Sequence, residues 1–208
     1  MPKKSIVIVA AQRTPIGNFQ GCLKKFSAPQ LGSHAIKGLL ANTSLTAADI
    51  DVVLMGCVLP AGLGQAPARQ AARGAGLSDS TSCTTVNKVC GSGMQAIMIA
   101  HDSLVAGSIQ FAIAGGMESM TNAPYLLPNA RNGYRLGHQQ ALDHLFYDGL
   151  EDADEHKLMG HYAEQCAKHY GINRDQQDNF TLNSLRKAWT ADSNSLFYKE
   201  IIRIEEQG

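Results

Sequence analysis

The chain has little charge of either sign to spare: among its 208 residues, 18 lysines and arginines balance 18 aspartates and glutamates. A net charge of zero gives no long-range field to draw in nucleic acid, an anionic membrane or a strongly charged substrate. Any partner is therefore recognised locally. Long hydrophobic runs are also missing. The opening "MPKKSIVIVAAQRTP" has a basic pair and a short apolar stretch, but Gln12 and Arg13 end it before a signal-peptide core or a membrane span is reached. Cysteine is sparse and odd in number (Cys22, Cys57, Cys83, Cys90, Cys166), with no Cys-x-x-Cys pair. That pattern points to free thiols in a reducing compartment, the cytoplasm. Histidines are present, but His156, His161 and His169 are spaced so that they do not share one helical face, and no metal site is expected. Internal repeats and low-complexity tracts are absent.

What is present is an alternation of strand-like and helix-like segments. Residues 5–15, "SIVIVAAQRTP", read as a buried strand in mid-sheet. In "SAPQLGSHAIKGLLANTSL", Ser27 is placed to cap a helix with Pro29 in its first turn and Leu31, Ala35 and Leu39 at helical spacing. Residues 51–59, "DVVLMGCVL", read as a second buried strand, and "APARQAARGAG" as a short helix ended by Gly74 and Gly76. A more polar strand, "TSCTTVNKV", leads into a helix stopped at Gly107. A further strand, "FAIAGGMES", follows. This rhythm predicts a layered α/β domain over residues 1–119. From Met120 the chain becomes rich in Asn, Pro, Gly and Arg, which predicts a loop excursion and a boundary. Residues 120–208 then form a second unit with two helices. The later one is capped by Asn173 with Gln176 at the reciprocal position, and Leu182, Leu185 and Trp189 are expected to face a core.

The chemistry concentrates in "TTVNKVCGSGMQAIMIA", residues 84–100. Gly91, Gly93 and Ala96 satisfy a dinucleotide-binding spacing, but the preceding strand carries Thr84, Thr85, Asn87 and Lys88 and is too polar for the buried first strand of that unit. No acid ends the next strand either. A nucleophile explains more residues. At the start of a helix the thiol of Cys90 meets the positive end of the helix dipole, which favours the thiolate. Its own N–H and the amides of the first helical turn can accept a developing oxyanion. Gly91 and Gly93 clear the approach, and the apolar residues from Met94 to Val105 predict a helix buried between layers. The other four cysteines read as small buried hydrophobes. Spacing alone identifies no partner base for Cys90.

These motifs carry a resemblance. "VNKVCGSGMQAI", "AGGMESMTNAPYLLP" and "KLMGHYAEQCAKHYGINRDQQDNFTLNS", with "IVIVAAQRTPIGNFQG" at the start, resemble the thiolase family along the whole chain, most closely its acetyl-CoA acetyltransferases. The resemblance implies a layered β-α-β-α-β-α-β-β half with an inserted, mainly helical loop domain, and Cys90 as the acyl-accepting nucleophile of a ping-pong transfer. The substrates implied are acetyl-CoA or a 3-ketoacyl-CoA, with no metal or redox cofactor. Met159 falls where the family lines the pantetheine channel. Leu158 stands where many relatives carry histidine, which bears on chain-length preference. Residues 131–150 fall where tetrameric members have their assembly loop, so a homodimer or homotetramer is expected. A "GHP" motif and a second Cys-x-Gly-x-Gly segment do not occur, so the family's catalytic histidine and second cysteine have no positions here. A thiolate without them is expected to turn over slowly. The alternative expectation is an incomplete fragment or an acyl-CoA-binding subunit that needs a C-terminal partner half; a fatty-acid condensing enzyme is a further relative within acyl transfer.

Other residues receive blander readings. Glu118 is expected to be a carboxylate hydrogen-bonded at a strand end. Asp148, Glu151, Asp152, Asp154 and Glu155 are expected in a solvated loop, Asn87 and Lys88 to orient the strand or meet a twin subunit, and Arg69 and Arg73 on a helix surface.

Overall fold

The computed structural model describes residues 5–204. Its centre is a parallel sheet of β1 (Val52–Gly56), β2 (Ser82–Val86) and β3 (Ala112–Gly116), in the order β2-β1-β3. Val52 lies opposite Ser82 and Ala112, and Gly56 opposite Val86 and Gly116. The middle strand is the most apolar because both its neighbours and both its faces exclude water. Val53, Leu54 and Met55 are all buried. Side chains alternate between faces. Val53, Met55 and Ile113 join a core with α1 (Ala28–Ala41) and α2 (Pro67–Gly74), whereas Leu54 meets Ala96 and Ala100 of α3 (Ser92–Ala106) on the other face.

The local signals account for these elements. Ser27 Oγ accepts the Gln30 N–H and the Gln30 side chain accepts the Ser27 N–H, a capping box that starts α1 as expected. Small residues Ala68, Ala71 and Ala72 are almost fully buried, which lets α2 lie close on the sheet and on α1. Asp51 Oδ2 accepts the Gln110 and Phe111 N–H groups at 2.6 and 3.0 Å, joining the starts of β1 and β3. The Phe111 bond, then the Gln110 bond, hold its carboxyl below the usual range. Gly107, in the left-handed region at φ 74°, stops α3.

After β3 the chain makes a long excursion. β4 (Tyr125–Leu126) pairs antiparallel with β5 (Leu142–Asp143), and residues 145–150 form a π turn whose closing bond runs from the Glu151 N–H to the Phe146 carbonyl at 2.8 Å. α4 (Met159–His169) and α5 (Arg174–Ser193) follow, the latter with the expected Asn173–Gln176 capping box. Among the described residues no helix is long and apolar enough to cross a membrane.

Four expectations are corrected. Residues 5–15 form no strand: Val7, Ile8 and Val9 are 70%, 83% and 66% exposed. An apolar run becomes a strand only when it lies hydrogen-bonded along another strand, and the backbone pairing described for this one is a bridge between Arg13 and Ile201. Second, α3 is buried along a narrow stripe, Ser92, Ala96 and Ala100, while Met94, Ile97, Met98 and Val105 face outward. Third, Leu182, Leu185 and Trp189 face no core, and α5 buries no residue at all. Its helical spacing was legible, but no layer of the described chain covers that side. Fourth, of the cysteines read as buried, Cys57 is buried and Cys83 half-buried, but Cys22 and Cys166 are exposed.

Candidate active site

β2 ends at Val86 and the next turn presents Cys90. Asn87 Oδ1 accepts the Val89 N–H at 3.0 Å, while its Nδ2 donates to the Val58 carbonyl at 3.4 Å. Ser92 closes the turn from the other side: its hydroxyl donates to the Val89 carbonyl at 2.6 Å and accepts the Lys88 N–H at 2.8 Å. Between these braces Val89 sits at φ 48°. For a β-branched residue that is strained, at a cost on the order of 1–3 kcal/mol, and it persists because the flanking bonds over-determine the turn. The result lifts Cys90, exposed, just ahead of the first turn of α3.

Two amides of that first turn are already used, since the Gly91 N–H donates to Lys88 O and the Ser92 N–H to Val89 O. The expectation that the turn's amides wait as a group for an oxyanion is thereby narrowed towards the N–H of Cys90 itself. Among the described residues no side chain hydrogen-bonds to the Cys90 thiol.

Cys90 lines a cavity of about 380 Å³ at the carboxyl ends of β1 and β3. Such ends are where open parallel sheets place ligands. Its walls are Gly56 at the end of β1 with Val58 and Leu59 beyond it, Gly116 at the end of β3 with Met117 and Glu118 beyond it, Val89, Cys90, Ser92 and Gly93, Met120, and Leu145, Gly149 and Leu150 of the π turn. Gly56 is required: a Cβ there would stand 2.6 Å from the Gly93 nitrogen, so only glycine lets β1 run under the start of α3. Gly91 and Gly93 have room for a methyl group, so their absence of side chain is a matter of access.

Glu118 is the charged group of this lining, and it is committed to the scaffold as expected. Its Oε2 accepts the Val58 N–H at 2.7 Å, and its Oε1 accepts the Leu59 N–H at 3.2 Å and the Cys57 thiol at 3.6 Å. Burial, and then the Glu118 charge, push the Cys57 thiol up to about 12. Cys57 is therefore a structural donor, in contrast to the exposed Cys90.

The structure does not bring Leu158 and Met159 into the cavity lining. Both are half-exposed at the start of α4, and Leu158 pairs with Glu151, the neighbour of the lining residue Leu150. Residues 131–150, read as one assembly loop, divide in two: residues 131–141 are exposed, whereas the π turn folds back onto the cavity. The π turn, Ser92 and Asn87 were missed from sequence as contributors to the site. Asparagine two residues before a turn amide was the available signal for Asn87, and nothing local marks the π turn. A larger cavity of about 840 Å³, between residues 12–15 and 192–203, shares no lining residue with the first and is lined by no cysteine. No group of three or more His, Cys, Asp or Glu among the described residues is placed to hold a metal ion.

The family model of the thiolase N-terminal domain matches residues 6–208. The chain belongs to the thiolase family. Acetyl-CoA acetyltransferase IB of Candida tropicalis is 46% identical over 98% of this chain and 51% of its own length, and the acetyl-CoA acetyltransferase of Schizosaccharomyces pombe 44% identical over 99% and 52%. A crystal structure of a thiolase from Ascaris suum in complex with coenzyme A superposes with a TM-score of 0.89 at 37% identity, covering 93% of this chain and 50% of that one. This thiolase chain thus spans about half the length of the relatives it matches, and its parallel sheet with covering helices is the fold of their N-terminal half.

Proposed function

We propose that this chain is the nucleophile-bearing half of a thiolase-type acyltransferase acting on coenzyme A thioesters, acetyl-CoA or a 3-ketoacyl-CoA. The observation that carries the reading is an exposed Cys90 on a strained turn at the head of a fifteen-residue helix, opening on an apolar cavity at the ends of β1 and β3. With acetyl-CoA, the Cys90 Sγ–carbonyl bond forms and the carbonyl–sulfur bond to coenzyme A breaks; coenzyme A leaves as a thiol with the proton Cys90 gave up. In condensation, the α-carbon of a second acetyl-CoA attacks the acyl carbon. A carbon–carbon bond then forms, the Sγ–carbon bond breaks, and the α-proton returns to Cys90. Leu158, bridged to Glu151 beside the lining residue Leu150, and Met159 after it meet the pantetheine arm in this reading.

No side chain among the described residues is placed as a partner base for Cys90. That leaves a second reading, favoured by the lack of a side-chain partner for the Cys90 thiol among the described residues: a subunit that binds or carries acyl groups and turns over only with a partner half. The exposed residues 131–141 and the open outer edge of β2 support a homodimer or homotetramer. Five free thiols suit a reducing compartment such as the cytoplasm.

Intact-mass spectrometry with peptide mapping, before and after acetoacetyl-CoA, tests the reading. One acetyl group on Cys90, lost in Cys90→Ala, is the expected outcome. Labelling that persists in Cys90→Ala would sink it, and a single acetylation of Cys90, with one acetyl-CoA released and no further turnover with coenzyme A until a C-terminal half is added, would establish the carrier reading.

A further inference from the structure

A buried histidine behind the cavity has both ring nitrogens occupied. His144 is 4% exposed; its Nδ1 lies 2.5 Å from Asp148 Oδ2, and its Nε2 accepts the Ala61 N–H at 3.4 Å. Because Ala61 can only donate, Nε2 carries the lone pair and the ring proton sits on Nδ1, donated to the carboxylate. The His144 N–H also donates to the Pro124 carbonyl at 3.1 Å. One residue therefore links the loop after β1, the chain before β4 and the π turn.

That link matters for the cavity. The π turn supplies Leu145, Gly149 and Leu150 to the lining, and the loop after β1 supplies Leu59. The two meet closely: a Cβ on Gly149 would stand 3.3 Å from Leu59 Cδ2. A single π turn is a poor hydrogen-bonded unit that depends on outside support. His144 itself does not line the cavity, and with both nitrogens engaged it is not a base for Cys90.

We propose that His144, oriented by Asp148, is a positioning residue that holds the π turn against the loop after β1 and so sets the depth of the cavity beside Cys90, discriminating short from long acyl chains. The discrimination rests on the acyl-transfer reading above; the strut itself does not. In the full chain, His144→Ala, Asp148→Ala and His144→Gln are compared with the unaltered protein by hydrogen exchange, by alkylation of Cys90 with iodoacetamide, and by Cys90 acylation rates with acetyl-CoA and hexanoyl-CoA. The two alanine variants should exchange faster at residues 58–61 and 145–150, alkylate Cys90 at a changed rate, and shift the acetyl-to-hexanoyl ratio by about tenfold, the scale of a small misplacement of reacting groups. His144→Gln, which keeps one donor and one acceptor, should restore most of that ratio. Folded alanine variants with unchanged exchange and an unchanged ratio would overturn the proposal, as would a lowered melting temperature with the ratio intact. If the unaltered protein takes up no acyl group from either thioester, the acyl-transfer reading fails, while exchange and alkylation still decide whether His144 holds the wall.

Discussion

Helices α1 and α5 begin in the same way and end up in opposite surroundings. Each has a polar cap residue, Ser27 or Asn173, and a glutamine three residues on that completes a capping box. Yet α1 buries Ala28, Pro29, Gly32, Ser33 and Ile36 against α2 and the sheet, whereas α5 buries nothing and holds Trp189 76% exposed. The difference shows that capping and periodicity settle whether a segment is helical, and that burial depends on a second layer elsewhere in the chain. The same contrast separates the two halves of the molecule: residues 28–117 are held by long-range packing, residues 159–193 by bonds within each helix.

The contrast breaks most sharply at two glycines. Gly56→Ala forces a Cβ into the start of α3 and should cost about 3 kcal/mol in stability, typical of overpacking, together with most of the Cys90 acylation rate. Gly160→Ala in α4, where a Cβ meets nothing within 4 Å, should instead stabilise its helix by up to about 1 kcal/mol. Chemical denaturation of both variants checks the pair; equal effects would erase the distinction between the regions. Next in size, Val53→Ala should cost about 2 kcal/mol through its cavity, while Trp189→Ala in this chain should stay within about 0.5 kcal/mol, read as a shift in urea midpoint.

A pH titration sharpens the comparison further. Burial and the Glu118 charge raise the Cys57 thiol in the folded state from its ordinary value near 9 to about 12. In the unfolded chain it ionises first, so the stabilisation is fully present below about pH 9 and is lost as pH rises towards about 12. The slope is about 1.4 kcal/mol per pH unit for this one group. Stability followed over that range in the protein and in Cys57→Ala isolates it. The caps give a smaller, local effect. Ser27→Ala and Asn173→Ala each remove about 1 kcal/mol of local helix stability. Melting of the sheet core should follow Ser27→Ala alone, with Asn173→Ala visible as fraying by circular dichroism.

Much of the site was legible before any coordinates. Cys90 could be singled out because a cysteine, two glycines and an apolar helix follow a polar strand, and that order is local. Glu118 was rightly read as a hydrogen-bonded carboxylate at a strand end. The π turn and His144 could not be found this way, because their meaning comes from Ala61 and Leu59, more than eighty residues away in the chain. Residues 5–15 misled for a related reason: β-branched apolar residues state what a strand would look like, and only hydrogen-bonded pairing with a neighbouring strand makes one.

By itself the sequence determined the capped starts of α1 and α5, the glycine stops of α2 and α3, the segments that contain the three sheet strands, and the cysteine at the head of α3, because caps, glycines and apolar periods act over one or two turns of chain. Only the tertiary structure decided which faces those elements bury, how Asn87 and Ser92 hold Val89 in a strained turn under Cys90, and which distant loops wall the cavity. Burial and side-chain reach are properties of neighbours in space, and no window of sequence contains them.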